Sequence, residues 1–215
     1  MGRLRNSRRI WREAYAGSQV MVSCDGNYFA INLNALFGRE APLEIELGAG
    51  RGDFIIERAS AMPGRDFLAI ESAATIAQLM AIRAARHGLT NLRVIRMDAR
   101  ALVNLMLPPA SIDACHVYFP DPWPKERHVK HRLFTPWLVA RLARILRPGA
   151  PLFFATDVVE YAERTFAMLS AGGFLKLALA VPGASMTGFA RKFIAEGRPI
   201  YAGAYALSER MAAPD

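Results

Sequence analysis

The sequence of 215 residues predicts an α/β protein built on a single doubly wound, mostly parallel β-sheet. Short apolar runs alternate with longer segments of helical periodicity, which is the pattern of successive β-α-β units. Crossovers between parallel strands are right-handed in nearly all proteins, and this rule favours the doubly wound arrangement. Two further apolar runs near the C-terminus predict an antiparallel hairpin at one edge of the sheet.

The predicted elements begin at about residue 42. The predicted strands are residues 43–47, 67–70, 92–95, 112–119 and 152–155. The predicted helices are residues 54–61, 74–87, 99–106, 133–146 and 159–171. Turn sequences such as Pro63-Gly64 and Arg147-Pro148-Gly149 set the boundaries between them. The two final strands are predicted at residues 174–181 and 200–207, with a polar loop between them.

The composition is that of a compact globular protein. Apolar residues make up 53% and charged residues 21%, which excludes a disordered chain and a coiled coil. No run approaches the roughly 20 consecutive apolar residues that a membrane-spanning helix needs. Cys24 and Cys115 are too few for a disulfide framework or a thiolate zinc site. We expect a basic N-terminal extension over residues 1–41 and one domain over residues 42–215, located in the cytoplasm.

The chain is basic, with 27 Lys and Arg against 19 Asp and Glu. Guanidinium groups pair with phosphates in a bidentate manner and stack on bases. Clustered cations near the N-terminus favour contact with a polyanion, whereas cations spread over a solvated surface are the alternative. The clustered residues are Arg3, Arg5, Arg8, Arg9 and Arg12.

Three glycines lie where the first predicted strand turns into a helix. Gly48, Gly50 and Gly52 form the pattern E-x-G-x-G-x-G, and we expect them to bind a nucleotide-like ligand. Asp53 replaces the third glycine of the dinucleotide fingerprint, and with Glu46 it would repel a pyrophosphate at the helix start. These carboxylates suit a ligand with a cationic end, such as S-adenosylmethionine, better than NAD.

Two more acids follow the next two predicted strands. Glu71 ends the second strand, where an acid hydrogen-bonds ribose hydroxyls in nucleotide-binding sheets. Asp98 follows the third strand, and its alternative role is to cap the helix that begins at Ala99. Carboxylates at the ends of successive parallel strands predict one nucleotide-binding crevice.

The segment F-P-D-P-W-P-K at residues 119–125 follows the fourth predicted strand. Its three prolines make a stiff loop, which holds Asp121 at the carboxyl edge of the sheet. Trp123 offers a flat face for stacking a base, and Lys125 offers a cation for phosphate. The alternative is a structural turn with Trp123 in the core.

Between Leu43 and Tyr201 the chain resembles the bacterial tRNA (guanine-N7-)-methyltransferases. The resemblance rests on F-P-D-P-W-x-K at residues 119–125, K-H-R-L at 130–133 and A-T-D at 155–157. It implies a Rossmann-like class I methyltransferase fold that uses S-adenosylmethionine to methylate N7 of a guanosine in the variable loop of tRNA. The resemblance also implies site residues: cofactor contacts by Glu46, Glu71, Asp98 and Asp121, catalysis by Asp121, and substrate contacts by Lys125, Asp157 and Thr187.

The chain departs from the family pattern at one motif. The family has T-K-F-E where this chain has Thr187-Gly188-Phe189-Ala190. If the missing Glu holds the guanine edge in relatives, this protein uses another group or has another target. Two alternatives therefore stay open: a divergent methyltransferase acting on a small heteroaromatic compound, and a non-catalytic RNA-binding scaffold.

Basic residues that follow the F-P-D-P-W-P-K segment are expected to contact tRNA phosphates. They are Lys125, Arg127, Lys130 and Arg132. His128 and His131 lie three residues apart, but the sequence offers no third metal ligand near them, so we predict no metal site. The sequence does not indicate an oligomeric state.

Overall fold

A computed structural model describes residues 20–22 and 30–208 of the chain. The arginine cluster at residues 3–12 lies outside the described residues, so its contact with a polyanion stays a prediction. The division of the chain at residue 41 also stays a prediction.

The described residues form strands and helices in alternation. The strands are β1 (Met21–Val22), β2 (Leu43–Leu47), β3 (Asp66–Glu71), β4 (Leu92–Arg96), β5 (Ala114–Tyr118), β6 (Pro151–Thr156), β7 (Phe174–Leu177) and β8 (Tyr201–Leu207). The helices are α1 (Leu33–Phe37), α2 (Asp53–Ala61), α3 (Ala74–Arg86), α4 (Ala99–Leu105), α5 (Pro136–Ile145), α6 (Val159–Ala171), α7 (Gly183–Met186) and α8 (Gly188–Ala195), with a 3₁₀ helix at Glu126–His131.

The strands of the described chain lie in one sheet in the order β1-β4-β3-β2-β5-β6-β8-β7. The pairs from β1 to β6 are parallel, whereas β8 pairs antiparallel with both β6 and β7. This arrangement confirms the predicted doubly wound sheet with an antiparallel C-terminal edge. The chain moves outward from β2 in one direction and from β5 in the other, so the strand order reverses between them. Ligands of open α/β sheets bind at such a switch point, outside the carboxyl ends of the strands.

Side chains of the central strands alternate between the two faces of the sheet, and both faces are buried. On β3, Leu68 and Ile70 belong to one buried cluster, and Phe67 and Ala69 belong to the other. Both faces are covered by helices, so these strands are rich in apolar residues, although β2 carries Glu44 and Glu46 and β4 carries Arg93. For this reason, the boundaries predicted for the central strands lie within two residues of those observed.

β1, α1 and the 3₁₀ helix were not predicted, and two of the predicted elements differ clearly from the structure. The helix predicted from residue 133 begins at Pro136, because the Thr135 hydroxyl accepts a hydrogen bond from Leu138 N at 3.2 Å and Pro136 occupies the first turn. The strand predicted at residues 174–181 ends at Leu177, and the predicted polar loop contains α7 and α8. The sequence indicated a polar loop here because the burial of Gly183 and Ala190 depends on tertiary contacts.

Candidate active site

The glycine turn after β2 is held in place by the acid that ends β3. Gly48, Gly50 and Gly52 have φ angles of 77°, 55° and 73°, a region that favours glycine. The Glu71 carboxylate accepts hydrogen bonds from Gly50 N at 3.0 Å and from Ala73 N at 2.8 Å. Glu71 therefore joins the loop that follows β2 to the loop that follows β3.

Gly52 also allows a close contact between two helices. A Cβ atom at this position would lie 2.6 Å from Met80 Cγ and 2.8 Å from its Sδ, both on α3. The absence of a side chain at Gly52 therefore sets the distance between α2 and α3, in addition to permitting the left-handed turn.

Glu46, near the end of β2, is a buried carboxylate. Its side chain is only 3% exposed, and its Oε2 atom has no hydrogen-bond partner among the described residues. Burial raises the pKa of Glu46 well above its ordinary value, and the negative charges of Asp53 and Glu71 raise it further. A buried, unpartnered carboxylate facing a cavity fits a ligand that brings its own cation, such as the ammonium group of S-adenosylmethionine.

Two cavities meet at the carboxyl ends of β2 and β5. The first has a volume of about 310 Å³ and is lined by Glu46, Asp53, Tyr118 and Thr187, among others. The second has a volume of about 350 Å³ and is lined by Glu71, Asp98, Asp121 and Trp123, among others. Both are also lined by Gly48, Gly50, Phe119 and Phe189, so they form one crevice. The structure thus brings the four acids predicted to contact the cofactor to the walls of a single crevice.

Asp98 caps a helix, as one interpretation of the sequence predicted, and its contact with a nucleotide-like ligand stays a prediction. Its Oδ1 atom accepts a hydrogen bond from Arg100 N at 2.7 Å and caps α4. The same residue lines the second cavity. The capping hydrogen bond fixes the orientation of the Asp98 side chain. Because Asp98 also lines the cavity, its carboxylate can still contact a ligand.

The loop that carries Asp121 is bordered by two strained aromatic residues. Phe119 and Trp123 have φ angles of 49° and 42°, which are rare for bulky side chains. Trp123 is half-buried, packs against His131 with a ring distance of 5.2 Å and lines the crevice, so it is not a core residue. The surrounding structure therefore holds Asp121, which is exposed, at the mouth of the crevice.

Arg132 is buried and holds this loop in place, so it is not positioned for the tRNA phosphate contact that the sequence predicted. Its side chain is 3% exposed and pairs with both carboxylate oxygens of Glu160 at 2.9 and 2.7 Å. Its Nε donates to Pro122 O at 2.7 Å, which ties the loop to α6. The prediction of a phosphate contact was wrong for Arg132, because the sequence did not reveal its partner. Lys125, Arg127 and Lys130 are exposed.

Two of the predicted substrate contacts lie away from the cavity walls. Asp157 pairs with Arg198, whose guanidinium lies 4.0 Å from the centre of the Phe193 ring. Neither Asp157 nor Lys125 lines the two cavities. Thr187 does line the first cavity, and its hydroxyl accepts a hydrogen bond from Ala190 N at 3.0 Å to cap α8. The roles of all three residues in substrate binding stay predictions.

Sequence reasoning missed a buried polar network beneath the first cavity. His116 Nε2 lies 3.0 Å from Glu44 Oε2, and His116 Nδ1 lies 2.7 Å from the Tyr118 hydroxyl. Arg58 and Arg65 also pair with Glu44. Although burial alone would raise the pKa of Glu44, hydrogen bonds and charges from His116 and Arg58 lower it to about 2. The available signal was a polar residue within each of two strands predicted to be buried, Glu44 in β2 and His116 in β5.

Residues 20–22 and 30–208 contain no helix that is long and apolar enough to cross a membrane. The same residues contain no group of three or more His, Cys, Asp or Glu side chains arranged to hold a metal ion.

Comparison with known proteins identifies the family. A family model described as "Putative methyltransferase" matches residues 40–202. The tRNA (guanine-N(7)-)-methyltransferase of Nitrosomonas eutropha is 44% identical over 140 residues, which are 65% of this chain and 62% of that protein. The protein of the same name from Syntrophotalea carbinolica is 37% identical over 173 residues, which are 78% of this chain and 75% of that protein.

Solved structures show the same fold at lower identity. The crystal structure of the 16S rRNA methyltransferase KamB superposes with a TM-score of 0.61 at 16% identity, covering 84% of this chain and 94% of that chain. Among the curated relatives, the aligned region spans 62%, 61% and 54% of the length of three of them. On the family match and on the identity to the Syntrophotalea protein, this chain belongs to the family of the tRNA (guanine-N(7)-)-methyltransferases.

Proposed function

We propose that this protein transfers a methyl group from S-adenosylmethionine to N7 of a guanosine in the variable loop of tRNA. The observation that carries the proposal is the single crevice at the switch point of the sheet. It has the unpartnered Glu46 carboxylate at one end and Asp121 at the other. Membership of the methyltransferase family supports the reaction type, and the relatives' names support tRNA as substrate.

The proposed cofactor fits the polar groups of the crevice. Glu46 would bind the ammonium group, and the glycine turn at residues 48–52 allows close approach of the backbone. Glu71 would accept hydrogen bonds from ribose hydroxyls, and Asp98 would contact the adenine. S-adenosylmethionine, when bound, supplies an electrophilic methyl group on its sulfonium.

The residues around Asp121 act mainly by positioning and electrostatics. Guanine N7 carries an in-plane lone pair, so no base has to remove a proton before the methyl group is attacked. Asp121 accepts hydrogen bonds from the base and stabilises the positive charge that develops on its ring. Phe189 is 57% exposed and lines both cavities, which places it to stack on the base together with Trp123.

Binding of the tRNA is proposed to rest on exposed cations around the crevice. Lys125, Arg127 and Lys130 follow Asp121 along the chain and are exposed, and they would contact phosphates. Each phosphate contact releases counterions, so affinity is expected to fall steeply as salt is raised. A cytoplasmic location, where tRNA is found, is part of the same proposal.

Labelled S-adenosylmethionine and unmodified tRNA test this function directly. The expected product is labelled 7-methylguanosine in the variable loop, identified by mapping the methylated nucleoside. Methylation of free purines without methylation of tRNA would favour a small heteroaromatic substrate. Binding of S-adenosylhomocysteine and of tRNA without any methyl transfer would favour the non-catalytic scaffold.

Asp121→Asn tests the proposed electrostatic role, because it keeps the shape and removes the charge. We expect kcat to fall by about 100-fold or more, the range measured when one stabilising group is removed from an active site. Glu163→Gln, at an exposed acid of α6, is the matched control and should leave kcat unchanged. A kcat of Asp121→Asn close to that of the wild type would exclude an electrostatic role for this residue.

A further inference from the structure

The cavity that contains Glu46 also contains basic groups that the proposed reaction does not use. Lys192 and Arg51 line it together with Glu46 and Asp53. The Asp53 carboxylate is already paired, with Arg83 Nη1 at 2.7 Å and with Arg191 Nη2 at 3.8 Å. Arg83 and Arg191 thus pair with Asp53, and the other acidic and basic side chains that line this cavity are Glu46, Lys192 and Arg51.

The position of Lys192 follows from the way α8 begins. A Cβ atom at Gly188 would lie 2.5 Å from Asp53 Oδ2, so the first residue of α8 packs against Asp53 and leaves no room for a side chain there. Phe189 and Lys192 are three residues apart, which places them on one face of α8, and both line the cavity. Ala190 and Phe193 are buried. Lys192 is therefore a basic side chain of α8 that reaches the cavity.

Within the described part of the chain, the ammonium group of Lys192 is held only by a weak ion pair. Its acidic neighbour is Glu196, whose Oε1 atom is 3.9 Å from Nζ, and both side chains are largely exposed. An exposed pair at this spacing stabilises by only a few tenths of a kcal/mol, so Lys192 is free to exchange it for a ligand. Glu46, by contrast, lies at the buried end of the same cavity.

We infer that Lys192 binds the carboxylate of the methyl donor's amino-acid end, while Glu46 binds the ammonium group of the same ligand. The inference rests on the proposed use of S-adenosylmethionine and adds a specificity-determining residue to it. A cation at the mouth and an anion at the buried end are complementary to a zwitterion. Lys192 thereby distinguishes sulfur nucleosides that carry an α-amino acid from those that lack one.

Two ligands that differ in the amino-acid end test the assignment by titration calorimetry, without any turnover. S-adenosylhomocysteine carries the ammonium and the carboxylate, whereas 5′-methylthioadenosine carries neither. We expect Lys192→Gln to lower the affinity for S-adenosylhomocysteine by about 10-fold, as for a charge-assisted contact at a partly exposed site. Its affinity for methylthioadenosine should be unchanged. Lys192→Arg should retain most of the affinity for S-adenosylhomocysteine.

The matched control is Lys176→Gln, at an exposed lysine of β7 outside both cavities, and it should bind both ligands as the wild type does. Unchanged affinity of Lys192→Gln for S-adenosylhomocysteine would overturn the inference, and so would an equal loss for both ligands, which indicates displacement of α8. A selective loss in Arg51→Gln but not in Lys192→Gln would assign the contact to Arg51 and overturn it too. A wild-type protein that binds neither ligand would refute the proposed function itself.

Discussion

Replacing Glu46 by Gln tests the assignment of the buried carboxylate most directly, because the change keeps the shape and removes the charge. Glu46 Oε2 has no hydrogen-bond partner in the part of the chain that the structure describes, and the side chain is 3% exposed. A hydrogen bond to a charged group contributes about 1.5–3 kcal/mol, so losing it should lower the affinity for S-adenosylhomocysteine by roughly 10-fold to 100-fold. The free variant should be more stable than the wild type at neutral pH, because it no longer buries a carboxylate whose ionised form is unfavourable.

The pH dependence of binding gives the sharper result for Glu46. Its pKa is raised in the free protein, and a bound ammonium group favours the ionised form, so ligand binding should release a proton. Affinity for S-adenosylhomocysteine is therefore expected to fall as the pH is lowered through that raised pKa, and to be nearly flat in Glu46→Gln. Calorimetry in buffers of different ionisation enthalpy measures the proton release. Glu57→Gln, at an exposed acid of α2, is the control. A Glu46→Gln variant with wild-type affinity, or with the wild-type pH dependence, would refute this reasoning.

Two further predictions concern stability. The pKa of Glu44 is lowered to about 2, so its contribution of roughly 3 kcal/mol is present above pH 4.5 and is lost between pH 4.5 and 2. Acid unfolding of Glu44→Gln should lack this loss. The lowered pKa of His116 adds a loss of its own, which begins as the pH falls below about 6.5. Gly52→Ala would place a side chain at a φ of 73°, with its Cβ only 2.6 Å from Met80 Cγ. We therefore expect the free energy of unfolding to fall by about 2–4 kcal/mol and the Tm to fall by roughly 4–16 °C. Gly88→Ala, with a φ of 64° and open space around it, should lose only the backbone part, and an equal Tm for the two variants would contradict the role of Met80.

The sheet was predictable because burial on both faces leaves a strong local signal. β2, β3, β4, β5 and β6 are short apolar runs separated by glycine or proline turns, and each was predicted to within two residues. The acids were predictable for a related reason, since the carboxyl ends of parallel strands meet at one edge. Glu46, Glu71, Asp98 and Asp121 therefore come together in space even though 75 residues separate the first from the last.

The contacts of polar side chains were not predictable from local sequence. Arg132 stands among exposed basic residues, yet it is buried because Glu160, 28 residues away, approaches both of its terminal nitrogens. Asp157 matches a family motif, yet Arg198 occupies its carboxylate. The helices α7 and α8 lie where the sequence indicates a polar loop, because packing against Tyr118 and Asp53 stabilises segments that are too short to be helical alone.

The sequence by itself determined the order of the strands along the chain, the glycine turn and the edge of the sheet at which the acids collect. These features depend on periodicity and on backbone conformation, which neighbouring residues dictate. Only the tertiary structure decided which charges are paired and which are left free. Among the described residues it paired Asp53 and Arg132, left Glu46 Oε2 buried without a hydrogen-bond partner, and placed Lys192 at the same cavity. The energy of a charge depends on the solvent and the partners around it, and both are set by residues distant in the chain.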